Sequence, residues 1–282
     1  MLGGELVLIT GTSSGIGLSA AIECAAAGHR VVATMRDLTR REALEKAAAA
    51  RKVRVDVEQL DVNADNLGAK VRELILKYGP VFALVNNAGI AVAGVFEEQS
   101  EADTRGQFET NVFGLMAVTR ALLPAMRAAG RGRIINVSSI SGRLAFPALS
   151  IYAATKHAVE GFSEGLRWEL DPFGIGVCLI EPGTFKTPIF FANQRRAEHL
   201  DREGPYGAIN RALEKLYLEE ADKAPPPDVV GQAIAKLVSA PAPPFRTVVG
   251  RDARTLVALR RVVPDRLFAT GIRRFINLPR PR

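Results

Sequence analysis

Tyr152 and Lys156 stand four residues apart in a stretch rich in Ala, Leu and Glu, so on a helix they share one face and can act on one bound molecule. A phenol there can give a proton to a carbonyl oxygen reduced by hydride, or take one from an alcohol being oxidised. Free phenol has a pKa of about 10, and bringing it near 7 takes roughly 4 kcal/mol of selective phenolate stabilisation. One positive charge at about 4 Å contributes on that order at an effective dielectric of about 20, which makes Lys156 sufficient in size. The plainer reading is a surface tyrosine beside a solvated lysine. Ser139 precedes Tyr152 by thirteen residues, a separation that lets a strand end and a helix start face one pocket. Its hydroxyl can donate to a substrate oxygen as charge develops there. Ser138 competes for that role, and strand alternation sends the two neighbours to opposite faces.

A second candidate site lies near the start of the chain. Residues 10–17 read Thr10-Gly11-Thr12-Ser13-Ser14-Gly15-Ile16-Gly17, between an apolar run and a helical stretch, where a dinucleotide pyrophosphate site would sit. Without a Cβ, Gly11 can make the tight turn, Gly15 admits a diphosphate to the backbone, and Gly17 lets helix pack on strand. Ser13, Ser14 and Ile16 complete the candidate loop, and the helix N-terminus that follows offers free N–H groups to an anion. An ordinary glycine-rich turn is the bland alternative, and the spacing departs from G-x-G-x-x-G. At the end of the second apolar run the chain reads Thr34-Met35-Arg36-Asp37. An acidic residue at that place binds the ribose hydroxyls of NAD, whereas an arginine accommodates the extra phosphate of NADP. Arg36 points to NADP over NAD. Asp37 either pairs with Arg36 or accepts a ribose hydroxyl itself if the strand runs one residue further.

The T-G-x-x-x-G-x-G spacing resembles the short-chain dehydrogenase/reductase family, and the likeness continues over about residues 5–250. Asn86-Asn87-Ala88-Gly89, Asn111, Ser139, Tyr152-x-x-x-Lys156 and Pro182-Gly183 occur in the family's order, a conjunction far more specific than any one landmark. The resemblance implies a nicotinamide-dependent oxidoreductase in which Asn111, Ser139, Tyr152 and Lys156 are catalytic. It selects Ser139 over Ser138. It has Lys156 hold the nicotinamide ribose as well as stabilise the phenolate, helped by the cationic oxidised nicotinamide, and has Asn111 hold a water linking Lys156 to solvent. Asn111 as a helix-kinking polar core residue is compatible with that role. The cofactor contacts it implies are Gly11, Ser13, Ser14, Gly15, Ile16, Gly17, Arg36, Asn87, Ala88, Gly89, Tyr152, Lys156, Pro182, Gly183, Thr184 and Thr187. Asp61 and Val62 look like the adenine contact. Met35 stands in the family's usual acidic slot and Arg36 in the following basic one, as in its NADP-preferring branch. The long C-terminal addition looks like that of hydroxysteroid and retinol dehydrogenases and bacterial relatives, and a homodimer or homotetramer is expected. Likeness of fold does not transfer the substrate.

These residues need a frame. Short β-branched runs at residues 6–10, 31–34, 53–60, 81–85, 133–137 and 176–180 alternate with helical stretches at 15–27, 39–51, 64–78, 101–129 and 150–170. The runs are near-continuously apolar, so both faces of a parallel sheet should be covered by helices. The expectation is an α/β, doubly wound Rossmann fold with a predominantly parallel sheet and a C-terminal helical extension. Residues 182–224, mixed in Gly, Pro and charge and closed by Pro225, Pro226 and Pro227, read as a substrate-loop insertion. A helix over 228–239 and a strand over 246–249 then complete a single domain, 1–250, followed by a basic extension, 251–282.

The chain has 282 residues and 48% hydrophobic content, enough for a sizeable core. Of its net charge of +7, the ten arginines from 246 to 282 against Asp252 and Asp265 account for +8, leaving −1 elsewhere. That pattern speaks against a nucleic-acid surface. Cys24 and Cys178 read as buried packing residues in a reducing compartment, and the apolar run at 6–9 leaves no room for a signal sequence, so a cytoplasmic protein is expected. The longest charge-free run, 78–96, is broken by Pro80, Asn86, Asn87 and glycines and cannot be a spanning helix. His29, His157 and His199 share no metal-ligand spacing, and no metal is expected. Arg120, Arg127, Arg131 and Arg133 read as the solvated face and end of one long helix.

The stretches expected to border the reacting carbon, 91–96, 140–149 and 185–191, are apolar apart from Arg143, Lys186 and small polar residues, favouring a lipophilic alcohol or ketone over a sugar. In the tail, 254–276, apolar and arginine residues interleave as amphipathic helices interrupted at Pro264. Its apolar face either packs over the substrate-side opening or a neighbouring subunit, or makes a peripheral membrane contact. Two rival functions are a catalytically silent NADP(H)-sensing regulator and a membrane-surface lipid-binding protein. The intact Asn111, Ser139, Tyr152 and Lys156 speak against the first.

Overall fold

The first apolar run forms β1 (Leu6–Thr10), whose alternate side chains go to opposite faces, Val7 and Ile9 into one core and Leu6 and Leu8 into the other. The computed structural model describes residues 4–190 and 195–276. Phe191, the end of one expected substrate-side stretch, and Arg280 and Arg282 of the tail lie outside the described residues. After β1 come α1 (Gly15–Ala26), β2 (Arg30–Met35), α2 (Glu42–Arg51), β3 (Asp56–Gln59), α3 (Leu67–Tyr78) and β4 (Ala83–Asn86). A two-residue β5 (Val92–Ala93), α4 (Glu101–Phe108), α5 (Leu115–Ala129), β6 (Gly132–Val137), α6 (Ser150–Leu170) and β7 (Ile175–Pro182) follow. The chain continues through β8 (Arg195–Arg196), α7 (Gly207–Lys223), α8 (Asp228–Ser239), β9 (Arg246–Val249), α9 (Arg251–Val262) and α10 (Asp265–Ile276).

Seven strands make one sheet in the order β3-β2-β1-β4-β6-β7-β9, every neighbouring pair parallel. The doubly wound expectation holds. From β1 the chain builds outward to β2 and β3, then returns to β4 on the other side of β1, so the carboxyl ends of β1 and β4 open a crevice where the winding reverses. One core packs Ala20, Ile22, Leu44, Val230 and Ile234 of α1, α2 and α8 on one face. The other packs Val71, Leu74, Val118, Leu122 and Leu166 of α3, α5 and α6 on the opposite face.

Four differences from the sequence reading have physical causes. The expected helix over 101–129 is not one regular helix: α4 passes into a π-helical segment, Glu109–Gly114, before α5 resumes. By length and composition this continuous helix could span a membrane, yet Val118, Leu122 and Met126 face the sheet core. The expected long third strand shrinks to Asp56–Gln59 because β3 is the edge, paired on one side only. The insertion carries a seventeen-residue helix, α7, and a short parallel pairing of β8 with β5, Val92 to Arg195 and Ala93 to Arg196. Arg133 is not on a solvated helix end: it is buried in β6, and its Nη1 donates to the carbonyls of Leu237, Val238 and Ala240 at 2.6, 2.8 and 2.6 Å. Those are carbonyls at the C-terminus of α8, which a cation stabilises.

The tail packs onto the sheet's carboxyl side. Ala253 and Val257 of α9 join Ile140 and Leu144, with Leu256 and Phe268 against them. Ile276 of α10 meets Ala148 and Leu213, with Ile272 and Ile209 beside them.

Candidate active site

The glycine loop leaves β1 at the crevice. Gly11 turns with φ of +71°, and a Cβ there would lie 2.7 Å from Ala88 Cα. A Cβ on Gly17 would lie 2.3 Å from the Gly11 carbonyl oxygen and 2.4 Å from Asn87 Nδ2. Gly17 is therefore required by the loop's own curl and by Asn87, not only by helix-on-strand packing. Asn87 Nδ2 donates to the carbonyls of Thr10 and Gly11, both at 2.9 Å. Thr10 Oγ1 accepts from the backbone N–H of Asn87 and Ala88, both at 3.0 Å. These bonds tie the β1 and β4 ends together and leave the α1 N-terminus, with Ser13, Ser14, Gly15 and Ile16, facing the crevice. The next layer is Thr187, whose Cβ would be 3.3 Å from a Cβ on Gly15. Pro182 ends β7, Gly183 N donates to the Val249 carbonyl at 2.8 Å, and Thr184 N donates to Asp252 Oδ2 at 2.7 Å.

At the end of β2, Met35 is buried in the core and Arg36 is exposed, its backbone carbonyl accepting from Gln59 Nε2 at 3.1 Å. The Arg36 guanidinium has no hydrogen bond or ion pair among the described residues. Strand β2 runs one residue beyond the expected Thr34, the condition under which Asp37 could take a ribose hydroxyl. However, Asp37 Oδ1 accepts from Thr39 N at 2.9 Å and Thr39 Oγ1 at 2.7 Å. Those bonds, with the charges of Arg40 and Arg36, hold its carboxyl below the usual range. Asp61 accepts from Asn63 N at 3.0 Å, and Val62 packs against Gly114 where a Cβ would come within 2.9 Å. A glycine cradle, a helix N-terminus and an unpaired arginine fit a phosphate-bearing dinucleotide.

On the other side of the crevice, Tyr152, Lys156 and Ser139 converge, all buried. Ser139 caps a short turn after β6. Its Oγ accepts from Ser141 N at 3.1 Å, which leaves its own proton for the hydrogen bond it makes with the Tyr152 hydroxyl. Ser138, one residue earlier, points elsewhere: its buried Oγ lies beside Gly142 and Glu160 and has no hydrogen-bond partner. Lys156 Nζ donates to the Val137 carbonyl at 2.8 Å and sits 5.8 Å from the centre of the Tyr152 ring. Burial pushes the Tyr152 hydroxyl up to about 12, against the Ser139 hydrogen bond that lowers it. Burial likewise pulls Lys156 down to about 8, against the charge of Glu160. Burial thus shifts both groups toward their neutral forms, and the ammonium stands 5.8 Å from the ring centre, which differs from the simple expectation of a lysine charge at contact distance from the phenol.

Asn111 lies within the π-helical segment. Its Oδ1 accepts from Ile90 N at 2.8 Å, and its Nδ2 donates to the Ile90 carbonyl at 2.9 Å and to Thr155 Oγ1 at 3.0 Å. Thr155 Oγ1 in turn donates to the Tyr152 carbonyl at 2.7 Å. Gly89 sits against this amide, since a Cβ there would be 3.2 Å from Asn111 Oδ1. Ala91, Leu149 and Tyr152 form an apolar cluster with Ala93, Phe146 and Ile189. Thr10, Thr155 and Asp252 escaped the sequence reading. Thr10 stands inside the glycine motif and was legible there, whereas Thr155 and Asp252 have no local signal and gain their roles from distant partners.

A family model described as short chain dehydrogenase matches residues 5–198. A 3-ketodihydrosphingosine reductase of Bacteroides thetaiotaomicron is 37% identical, covering 96% of this chain and 97% of its own. Human retinol dehydrogenase 8 is 36% identical, covering 91% of this chain and 85% of its own. Among solved structures, a short-chain dehydrogenase from Streptomyces avermitilis aligns with a TM-score of 0.81 at 33% identity, covering 98% of each chain. An actinorhodin polyketide ketoreductase variant solved with NADPH aligns at 0.73 and 30% identity, covering 87% of this chain and 95% of its own.

Proposed function

This chain belongs to the short-chain dehydrogenase family, and on that footing we propose that it moves a hydride between NADP(H) and a lipophilic alcohol or ketone. It is an oxidoreductase acting on CH–OH and C=O groups with a nicotinamide cofactor. The observation that carries the substrate class is the apolar wall of Ala91, Leu149, Ala93, Phe146 and Ile189 around the Tyr152 ring. A sugar would leave its hydroxyls unpaired against such a wall. NADP is supported by the unpaired Arg36 and by family members solved with that cofactor.

When bound, the nicotinamide supplies or accepts the hydride. Tyr152 gives its proton to the nascent alkoxide, or takes it from the alcohol, and Ser139 donates to the same substrate oxygen. Lys156, held by the Val137 carbonyl, is the cation that favours the phenolate and holds the ribose. Asn111 positions Thr155 and the backbone of Tyr152, and is the candidate to hold the water that refills the proton. The glycine loop and Thr187 form the diphosphate cradle, with Asn87 bracing it.

A second reading concerns the tail. Leu259, Val262, Leu267 and Phe275 are exposed among Arg260, Arg261, Arg266, Arg273 and Arg274, which supports a peripheral contact with an anionic membrane. A homodimer or homotetramer and a cytoplasmic setting complete the proposal. The test is NADPH consumption across a panel of steroid, retinoid, long-chain and sugar carbonyls. Turnover confined to the apolar members supports the reading; turnover of sugars alone overturns the substrate class, and none at all favours the NADP(H)-sensing alternative.

A further inference from the structure

Behind the tyrosine and lysine lies a buried charged cluster that neither the substrate nor the cofactor reading uses. Tyr152, Lys156 and Glu160 follow one another at four-residue intervals on the buried face of α6. Glu160 Oε2 meets Arg246 Nε of β9 at 3.0 Å, and fully buried Glu181 Oε1 of β7 meets the same atom at 3.4 Å. Glu181 Oε1 also meets Arg143 Nη1 at 3.2 Å, and exposed Glu164 meets Arg246 Nη2 at 2.7 Å. Gly142 makes the room: a Cβ there would lie 2.7 Å from Ser138 Oγ, 3.0 Å from Glu160 Cγ and 3.1 Å from the Lys156 carbonyl. Ser138 Oγ, Glu160 Oε1 and Glu181 Oε2 are buried without a hydrogen-bond partner.

Such unsatisfied carboxylate oxygens cost stability, so their retention calls for a reason. Lys156 is the group in need. It is buried, it forms no ion pair among the described residues, and its ammonium donates to the neutral Val137 carbonyl. Burial disfavours the charged form of an ammonium, and a nearby negative charge opposes that shift.

We propose that Glu160 is a positioning residue that keeps Lys156 charged: its carboxylate, one helical turn on and only partly neutralised by Arg246, supplies the field that holds the ammonium protonated in a buried site. The charge of Glu160 opposes the effect of burial on Lys156, in keeping with this role. The charged and titratable groups facing the cluster are Tyr152, Lys156, Glu160 and Glu164 on α6, Glu181 on β7, Arg246 on β9 and Arg143 after β6. The assignment rests on Lys156 being the cation that binds the ribose.

The experiment measures NADPH affinity by fluorescence from neutral to alkaline pH, with kcat measured over the same range. Wild-type affinity weakens as Lys156 loses its proton. In Glu160→Gln that weakening begins about one pH unit lower, the effect of one lost opposite charge. Glu164→Gln, which removes another partner of Arg246, keeps the wild-type profile, and Glu160→Asp, which keeps the charge, stays within half of that shift. A wild-type profile in folded Glu160→Gln overturns the proposal, and so does the same shift in Glu164→Gln, which would make Arg246 packing the cause. If Glu160→Gln does not fold, a full shift in Glu160→Asp overturns it and a near-wild-type profile there supports it. A wild-type affinity that is flat with pH overturns the role of Lys156 itself and the proposal with it, whereas a pH-dependent wild type with an unchanged Glu160→Gln overturns Glu160 alone.

Discussion

Single side chains carry the sharpest expectations. Tyr152→Phe removes only the titrating hydroxyl and its bond to Ser139, so turnover should disappear while NADPH affinity stays near wild type. Steady-state activity close to wild type would remove Tyr152 as the proton donor. Arg36→Ala should weaken NADPH about tenfold to a hundredfold, the roughly 1.5–3 kcal/mol of a charged hydrogen bond, and leave NADH little changed. Equal losses for the two cofactors would make Arg36 structural. Lys156 gives a stability signature as well as a kinetic one. Its ammonium is pulled from 10.5 down to about 8 by burial. Below pH of about 8 folded and unfolded chains both carry the proton, and the folded chain bears the full cost, up to about 3 kcal/mol. Between about pH 8 and 10.5 the unfolded chain binds more protons, so stability rises with pH and the cost fades. Lys156→Met should therefore gain stability over wild type at neutral pH and lose that advantage as pH approaches about 10, read by chemical denaturation at each pH. An advantage independent of pH would mean the lysine is not strained.

Elements decide where those side chains meet. The β1 and β4 ends are joined by Thr10 and Asn87, and the glycine loop curls until a Cβ at position 17 would overlap the Gly11 carbonyl and the Asn87 amide. Gly17→Ala should cost at least about 1–3 kcal/mol as an overpacked contact, and abolish measurable NADPH binding. Gly165→Ala, on the exposed side of α6 with nothing near its Cβ, should gain about 0.5–1 kcal/mol from helix propensity. Melting curves and NADPH titration of the two variants separate loop geometry from a general dislike of alanine for glycine. The π-helical segment is the other element-scale feature. One wide turn at Glu109–Gly114 brings Asn111 onto the backbone of Ile90 and onto Thr155, which a regular α-helix over 101–129 would not have suggested.

At the scale of the whole molecule, the tail closes the carboxyl side of the sheet. Ala253 and Val257 cover Ile140 and Leu144, Ile276 covers Ala148, and Asp252 accepts from Thr184 beside the cofactor side of the crevice. Truncation after Gly250 uncovers this apolar surface, each fully buried large side chain contributing about 1.5–3 kcal/mol. The truncated protein should melt earlier, aggregate and show a raised KM. Wild-type melting and kinetics after truncation would make the tail dispensable for both.

The frame was legible in the sequence because periodicity and glycine spacing are local. Six apolar runs and the final 246–249 run became the seven parallel strands, and the T-G-x-x-x-G-x-G loop, Asn87, Ser139, Tyr152 and Lys156 all came to the crevice that a reversal of winding must open. What depended on distant partners was not legible. Arg133 reads as one more surface arginine until α8, over a hundred residues later, ends above it and offers three carbonyls. Glu160 carries no local signal of a role, and only the tertiary fold brings Arg246 of β9, shared with Glu181 of β7, against it. The α7 helix was hidden in a stretch whose prolines, glycines and mixed charge mask its amphipathic pattern, and its place is set by Leu213 packing on Ala148 and Ile276. Local sequence determines which elements form and which turns they can make; the charge state and partners of a buried side chain are decided only when tertiary packing removes water and chooses what replaces it.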